Sequence, residues 1–501
     1  MKGERAKLAV ASALAAGALL LSGCEHGGDR ERGVATGTPM DLEVLVYNVE
    51  YGGGPATDRV IRRLDADVVG VLEPYERLPE IARRTGYPYF NTSLQLLSKY
   101  PILEPSGGDG LYGLIEVSPG YVISFFNLHL DYVEWGPRAL AGGAPVASVI
   151  ETENRVRTSA MERPIAAMSE LLDDGYPVFL TGDFNQPSSL DYTAEAVGTR
   201  KGIEEPVAWP VSEELLDLGF RDTYRETHRD PVADPGITHD RSGERIDYVY
   251  AAGPSTTLDS VLVGEPGGAD VDIAVSPWTS DHRAVLSSFE VAPVATPTLI
   301  AVDSRLGTVG DEITVTHSAP GSAGSEIAVV PEGGDPGDPV ETWAASGERG
   351  TARLDTSGWD PGGYDAVLAD GDGGEVARIS FELRDPRARL ELSTGRGSYG
   401  RGEPVEVSWT QAPANRWDWL GVYDAKAADP RRDDYLIWGY AEGHSAGTVP
   451  PTTDGEAALG PDSQGAPWPL PRGDYVVHYL LADEYESAGS AEFSVRGRGG
   501  G

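Results

Sequence analysis

Four apolar runs in this chain stop abruptly on side chains that carry charge or an amide. Leu42–Tyr47 ends in Asn48-Val49-Glu50, and Val68–Leu72 ends in Glu73. Tyr121–Phe126 ends in Asn127-Leu128-His129-Leu130-Asp131, and Val178–Leu180 leads through Thr181-Gly182 to Asp183-Phe184-Asn185. Alternation along a strand places Asp183 and Asn185 on one side and turns Phe184 to the other, toward a core. Two further segments fit the same pattern. Asp247 lies inside the apolar Ile246-Asp247-Tyr248-Val249-Tyr250, and Ser280-Asp281-His282-Arg283 opens the run Ala284–Phe289. A carboxylate with apolar neighbours on both sides needs a partner, because burying it unpaired costs about 2–7 kcal/mol or more. One polar residue after a strand is an ordinary turn residue. Six such segments argue instead for strand ends gathered at one place.

The organisation of the chain agrees with one mixed domain followed by β modules. At 501 residues two to four domains are expected. Helical spacing is read at Arg59–Leu64, Thr152–Leu172 and Glu213–Leu218, between strands at Gly113–Val117, Tyr121–Leu128, Val178–Leu180, Ile246–Ala251 and Ala284–Phe289. This predicts an α/β or α+β domain of about 250 residues, over 41–293. Ala292–Pro297 reads as a linker. Beyond it the helical period vanishes, and short alternating strands are divided by Gly, Pro and Asp turns. An internal repeat aligns Gly310-Asp311-Glu312-Ile313-Thr314-Val315 with Gly402-Glu403-Pro404-Val405-Glu406-Val407, and Pro361–Asp370 with a segment from Pro471 to Asp483. Two immunoglobulin-like β-sandwiches of roughly a hundred residues each, over 297–386 and 387–497, account for it. Trp409, Trp417, Trp419, Trp438 and Trp468 of the second are expected mainly in its core, an exposed pair being able to grip a sugar or lipid at the cell surface.

Lys2, Arg5 and Lys7 precede an uncharged stretch, Leu8–Leu21, that is too short to span a membrane comfortably and has the layout of an export signal. Leu21-Ser22-Gly23-Cys24 resembles the lipobox of bacterial lipoproteins, which implies cleavage before Cys24, its lipidation, and anchoring to the outer face of the bacterial cell membrane. Residues 25–40 read as a flexible tether. Cys24 is the only cysteine, so no disulfide can form within the chain. The net charge of -39 repels polyanions at long range, an effect that salt and a bound divalent cation reduce.

Carboxylates, amides and two histidines without a thiol form a donor set for a hard cation such as Mg²⁺ or Mn²⁺. Such a site suits phosphoryl chemistry. The segments YNVE (47–50), VGVLE (69–73), LLSKYPI (96–102), NLHLD (127–131), GDFN (182–185), RIDYVY (245–250) and SDHRAV (280–285) resemble, in order, those of the endonuclease/exonuclease/phosphatase (DNase I-like) superfamily. The resemblance implies a four-layer α/β sandwich, two mixed sheets flanked by helices, acting as a divalent-metal hydrolase with Mg²⁺, or else Mn²⁺ or Ca²⁺. It implies Glu73 as the principal metal ligand, Asp281 as a second carboxylate, and Glu50 and Asn48 as accessory ligands. It implies His282 as general base oriented by Asp247, Asp183 positioning or deprotonating water, Asn185 and Asn48 holding phosphate oxygens, and His129 at the phosphate or leaving group. The carboxylate that would orient His129 is not evident, and His239 in Gly236-Ile237-Thr238-His239 borders the site or lies on the surface. The expected function is hydrolysis of a phosphodiester, in extracellular nucleic acid or a phospholipid headgroup. The alternative is a non-catalytic lipoprotein that binds surface polymers through its β-sandwiches.

Overall fold

The computed structural model describes residues 35–108, 110–320, 325–345, 347–415, 417–426, 429–441, 453–461, 463–482 and 484–497. The expected leader, Cys24 and the tether up to residue 34 lie outside them.

Strand alternation creates the layers. In β1 (Met40–Asn48), Leu42, Val44 and Val46 enter one core while Leu45 and Tyr47 enter another, all fully buried. Helix α1 (Pro55–Leu64) carries the chain to β2 (Val68–Leu72), which pairs parallel to β1. There follow α2 (Leu78–Thr85), β3 (Tyr89–Asn91), β4 (Leu96–Ser98), β5 (Ile102–Pro105), β6 (Tyr112–Ser118) and β7 (Tyr121–His129). Next come α3 (Gly136–Ala141), α4 (Val146–Glu153), α5 (Ser159–Asp173), β8 (Val178–Asp183), α6 (Pro210–Asp217), β9 (Arg221–Asp222) and α7 (Thr223–Thr227). The domain closes with β10 (Asp247–Ala252), β11 (Ser255–Gly264), β12 (Ile273–Ala274) and β13 (Ala284–Val291).

One sheet has the order β12-β11-β13-β1-β2-β4-β3, and the other contains β5-β6-β7-β8-β10-β9. Ile123, Phe125, Phe179 and Val249 of the second sheet meet Val44 and Val46 of the first in the central core. Outside, Met161, Met168 and Leu171 of α5 cover Phe126, Val178 and Leu180, while Val60, Ile61 and Ile81 cover Leu45, Tyr47 and Val69. The result is the expected four-layer α/β sandwich. Glycines allow the closest approaches. A Cβ on Gly182 would stand 2.2 Å from the Leu128 carbonyl oxygen, and one on Gly70 would stand 2.2 Å from Thr181 Oγ1.

The helix expected at Thr152–Leu172 is α4 and α5 joined through a π turn at Asn154–Thr158. The turn brings Arg157 fully inside, where it donates to Glu153 Oε2 at 2.9 Å and to the Val133 carbonyl at 3.0 Å. Glu153 also accepts from Gln186 Nε2 at 2.7 Å, which ties the GDFNQP segment to this helix.

The junction with the β modules differs from the expected free linker. Strand β14 (Val294–Ala295) pairs with β7, and Thr36 bridges Val294, so residues 35–37 are held against the segment 293–295. Strand β15 (Leu299–Val302) then pairs antiparallel with β5, Ala301 opposite Pro105. After β16 (Leu306–Thr308), β17 (Glu312–Ser318) pairs with β15, and after β18 (Glu326–Pro331) and β19 (Glu341–Ala344), β20 (Arg349–Asp355) pairs with β17. The second sheet of the α/β domain therefore runs without a break into the first sandwich, whose other face is β16, β18, β19, β21 (Gly362–Ala369) and β22 (Glu375–Arg384). The second sandwich packs a three-stranded sheet on a six-stranded one around Trp409, Leu420, Val422, Tyr479 and Phe493.

Beneath β10 lies a fully buried charge network. The Arg245 guanidinium bonds Asp191 at 3.0 Å and Asp222 at 2.7 Å, and Arg225 Nε bonds the same Asp191 at 2.6 Å. Burial alone would raise the Asp191 carboxyl, but the two arginines overcome it and hold it below its ordinary value. Removing one partner strands the others, so Arg245→Met is expected to cost about 3–5 kcal/mol, measured as a lower urea midpoint.

Candidate active site

Sheet register assembles the polar strand ends. Asn48 pairs with Leu72, immediately before Glu73, while His129 and Asp247 both pair with Asp183 from opposite sides. Asn48, fully buried, donates from Nδ2 to Glu73 Oε1 at 3.0 Å and to Asp183 Oδ2 at 3.2 Å. One amide thus links the first sheet to the second. Glu73 has φ 54, and its other carboxylate oxygen accepts the Tyr51 amide at 3.0 Å. Asn185 has φ 46, donates to the Leu130 carbonyl at 2.9 Å, and stands 3.4 Å from His129 Nε2. Asn tolerates this left-handed backbone better than most residues, and such positions recur at functional sites. Asp183 Oδ1 accepts the Asn185 amide at 2.9 Å, and its Oδ2 lies 3.7 Å from His129 Nε2. Asp183 thus stands beside His129 without a direct hydrogen bond to it.

The last turn folds over this row. Ser280 Oγ donates to the Asn48 carbonyl at 2.7 Å and accepts the His282 amide at 3.0 Å. That places His282 Nδ1 2.9 Å from Asp247 Oδ2 and 3.7 Å from Asp183 Oδ2, with Nε2 3.8 Å from Asp281. Burial raises the Asp247 carboxyl, and the neighbouring Asp183 adds to this against the opposing His282. Burial also disfavours the charged imidazole, yet Asp247 and Asp183 outweigh it and raise His282 to about 10. The Nδ1 contact with Asp247 fixes the orientation of the imidazole and leaves Nε2 facing the side of Asp281.

His239 completes the cluster. Its ring stacks on His282 with centroids 4.6 Å apart, and its Nε2 lies 3.4 Å from Asp281 Oδ2. Burial would raise the Asp281 carboxyl, but His239, His282 and Arg241 overcome it and hold it below its usual value. Glu50 lies at the rim, accepting the Asp281 amide at 3.0 Å and pairing with Arg241 at 3.2 Å. Nothing local in the sequence gives the partners of His239 and Arg241, which a single bridge between residues 239 and 282 brings into place.

The sequence profile of the Endonuclease/Exonuclease/phosphatase family matches residues 45–282, a span that runs from β1 to His282. Residues 45–282 are thus similar to this family. Members of the endonuclease/exonuclease/phosphatase family are typically divalent-metal-dependent hydrolases. The chain is also similar to uncharacterized protein F14F9.5 of Caenorhabditis elegans, 28% identical over 241 residues that cover 41% of this chain and 75% of that one. Among solved structures, an endonuclease/exonuclease/phosphatase from Beutenbergia cavernae is 14% identical with a TM-score of 0.33, covering 68% of this chain and 100% of that one. A family protein from Bacteroides thetaiotaomicron is 16% identical with a TM-score of 0.31, covering 51% and 99%.

The donor set fits the cation that the endonuclease/exonuclease/phosphatase family requires. Two groups of three place their ligand atoms within 4.8 Å of one another, His239 with Asp281 and His282, and Asp183 with Asp247 and His282. Glu73 falls in neither group, its carboxylate being held by Asn48 and Tyr51.

The hairpin that presents His239 is fastened by Glu244, whose carbonyl accepts the Thr238 and His239 amides at 3.2 and 3.0 Å. Its buried carboxyl bonds Tyr192 at 3.0 Å and Arg200 at 3.1 Å. Burial outweighs Arg200 and raises it to about 7 from 4.5. The folded state thus favours the protonated acid. Its contribution is present below the unfolded value and is lost as pH rises toward about 7. The stability difference between wild type and Glu244→Gln, from urea unfolding across pH 4–8, should turn against wild type through that window.

Proposed function

We propose that this protein is a divalent-metal-dependent phosphodiesterase. The observation that carries the reading is the row His129–Asp183–Asp247, fixed by strand pairing, with His282 bonded across it at 2.9 Å from Asp247. Glu73 and Asp281 are the residues proposed to hold the cation, with Asn48 and Glu50 in support. When bound, the cation neutralises phosphate charge. Asp183, anchored by Asn48 and by the Asn185 amide, is oriented to position an attacking water. His282, its Nδ1 held by Asp247, is the proposed general base that takes the proton of the attacking water. Asn185 offers a second amide donor. His129, on the opposite side of Asp183, is placed to pass a proton from its imidazole to the departing oxygen.

The proposed substrate is a phosphodiester in extracellular nucleic acid or a phospholipid headgroup, and the proposed location is the outer face of the bacterial cell membrane. The LSGC sequence at Cys24 supports that location.

Purified protein should hydrolyse bis(p-nitrophenyl) phosphate with Mg²⁺ or Mn²⁺ and lose that activity in EDTA. Glu73→Gln and His282→Ala should each lower kcat/KM by about 10²–10³-fold or more, with circular dichroism unchanged. Substantial turnover in EDTA would overturn the mechanism.

A further inference from the structure

The second β-sandwich forms one side of the site. The Trp417 ring lies 6.2 Å from the His129 ring, centroid to centroid. The Tyr435 and Tyr132 hydroxyls bond at 3.0 Å, and Val133 packs against the cluster of Trp419, Tyr423 and Trp438. Between the two bodies is a cleft of about 540 Å³, floored by Asn185 and His239 and walled by Trp135, Arg138, Tyr435 and Trp438. Asn185 and His239 belong to the polar cluster, so one group esterified to a phosphate held there can enter this cleft.

The size and lining discriminate among phosphodiesters. A cleft of this volume falls in the range of small-ligand sites, about 300–1,000 Å³. Binding a nucleic-acid strand along its backbone requires a track of cations. Here Arg241 and Arg155 are already paired, with Glu50 at 3.2 Å and Glu134 at 2.5 Å. Arg138 is exposed, and its guanidinium makes no ion pair with any described residue. Trp438, only 6% exposed, is held edge-on by Tyr440 at 5.3 Å and Trp419 at 5.9 Å, which fixes its position at the cleft. Aromatic walls accept the C–H face of a saturated ring, while Arg138, Glu134 and the tyrosine hydroxyls at the rim offer donors and acceptors to ring hydroxyls.

We propose that the second sandwich completes the substrate site, and that the cleft at Trp438 and Arg138 takes a polyhydroxylated ring, a sugar or a cyclitol, carried on the scissile phosphate. The proposal rests on the hydrolase reading of the adjoining cluster.

The full protein with Mg²⁺ is assayed on glycerophosphoinositol, glycerophosphoethanolamine and thymidine 5′-(methyl phosphate). The cyclitol diester should exceed the ethanolamine diester at least tenfold in kcat/KM. Trp438→Ala and Arg138→Gln should each lower that ratio about tenfold, mainly through KM. Arg138 is a surface residue, so its variant tests the proposal even where Trp438→Ala fails to fold. A wild-type ratio near one overturns the proposal. So does an equal fall for both diesters in the variants, or a Trp438-dependent preference for the thymidine ester. Where no diester is turned over, the hydrolase reading fails separately. Calorimetry with inositol 1-phosphate then decides the cleft: binding weakened about tenfold in Arg138→Gln supports it, and no binding overturns it.

Discussion

The arrangement turns on two carboxylates forced side by side. Asp183 and Asp247 face each other across neighbouring strands, both almost fully removed from solvent. Left alone they would repel, and burial would add to the cost of ionising either. The fold relieves this with donors drawn from separate parts of the chain: Asn48 from the first strand, the Asn185 amide from the turn after β8, and His282 from the last. Ser280 then ties the His282 turn back to Asn48. Each donor belongs to an element whose position depends on the central cores, so the packing of both sheets is what keeps the pair tolerable.

Much of this cluster could be read before any coordinates, because strand ends announce themselves. Asn48, Glu73, His129, Asp183 and Asp247 all follow or open apolar runs, and the register that aligns them combines the parallel pairing of β1 with β2 and of β7 with β8 and the antiparallel pairing of β8 with β10. Phe184 turns inward as its position required and meets Tyr248 edge-on at 5.2 Å. His239 was not readable in this way. It sits in a turn with no periodicity, and its role depends on stacking with a residue more than forty positions distant. The charge balance around His282 was equally hidden, since it depends on three carboxylates converging from different elements.

The β modules show where local patterns fail. Trp417 and Trp438 have the burial expected of core residues, yet each also sits at the boundary with the four-layer domain. Sequence predicts that an aromatic residue will be buried but not against which neighbour. In the same way, Ala292–Pro297 has the composition of a linker and still contributes a strand, because the pairing with β7 is formed by residues about 170 positions apart. The acidic composition was similarly silent about location. Arg157, Arg225 and Arg245 are all consumed in buried ion pairs with Glu153, Asp191 and Asp222, three charges of each sign, so these arginines are not available at the surface and the net charge there is unchanged by them.

The seam between β5 and β15 has a consequence for how the protein can be divided. An unpaired strand at the side of a sheet is a template for joining another chain, and natural folds cover or charge such edges. Here β15 is the cover, with Arg305 adding a bond to the Pro105 carbonyl at 2.8 Å. Cutting the chain at the sequence's apparent linker would bare β5 at Glu104 and Pro105 and invite self-association. The smallest well-behaved fragment should therefore end after the first sandwich, and the hinge that its composition suggests is in mechanical terms a weld.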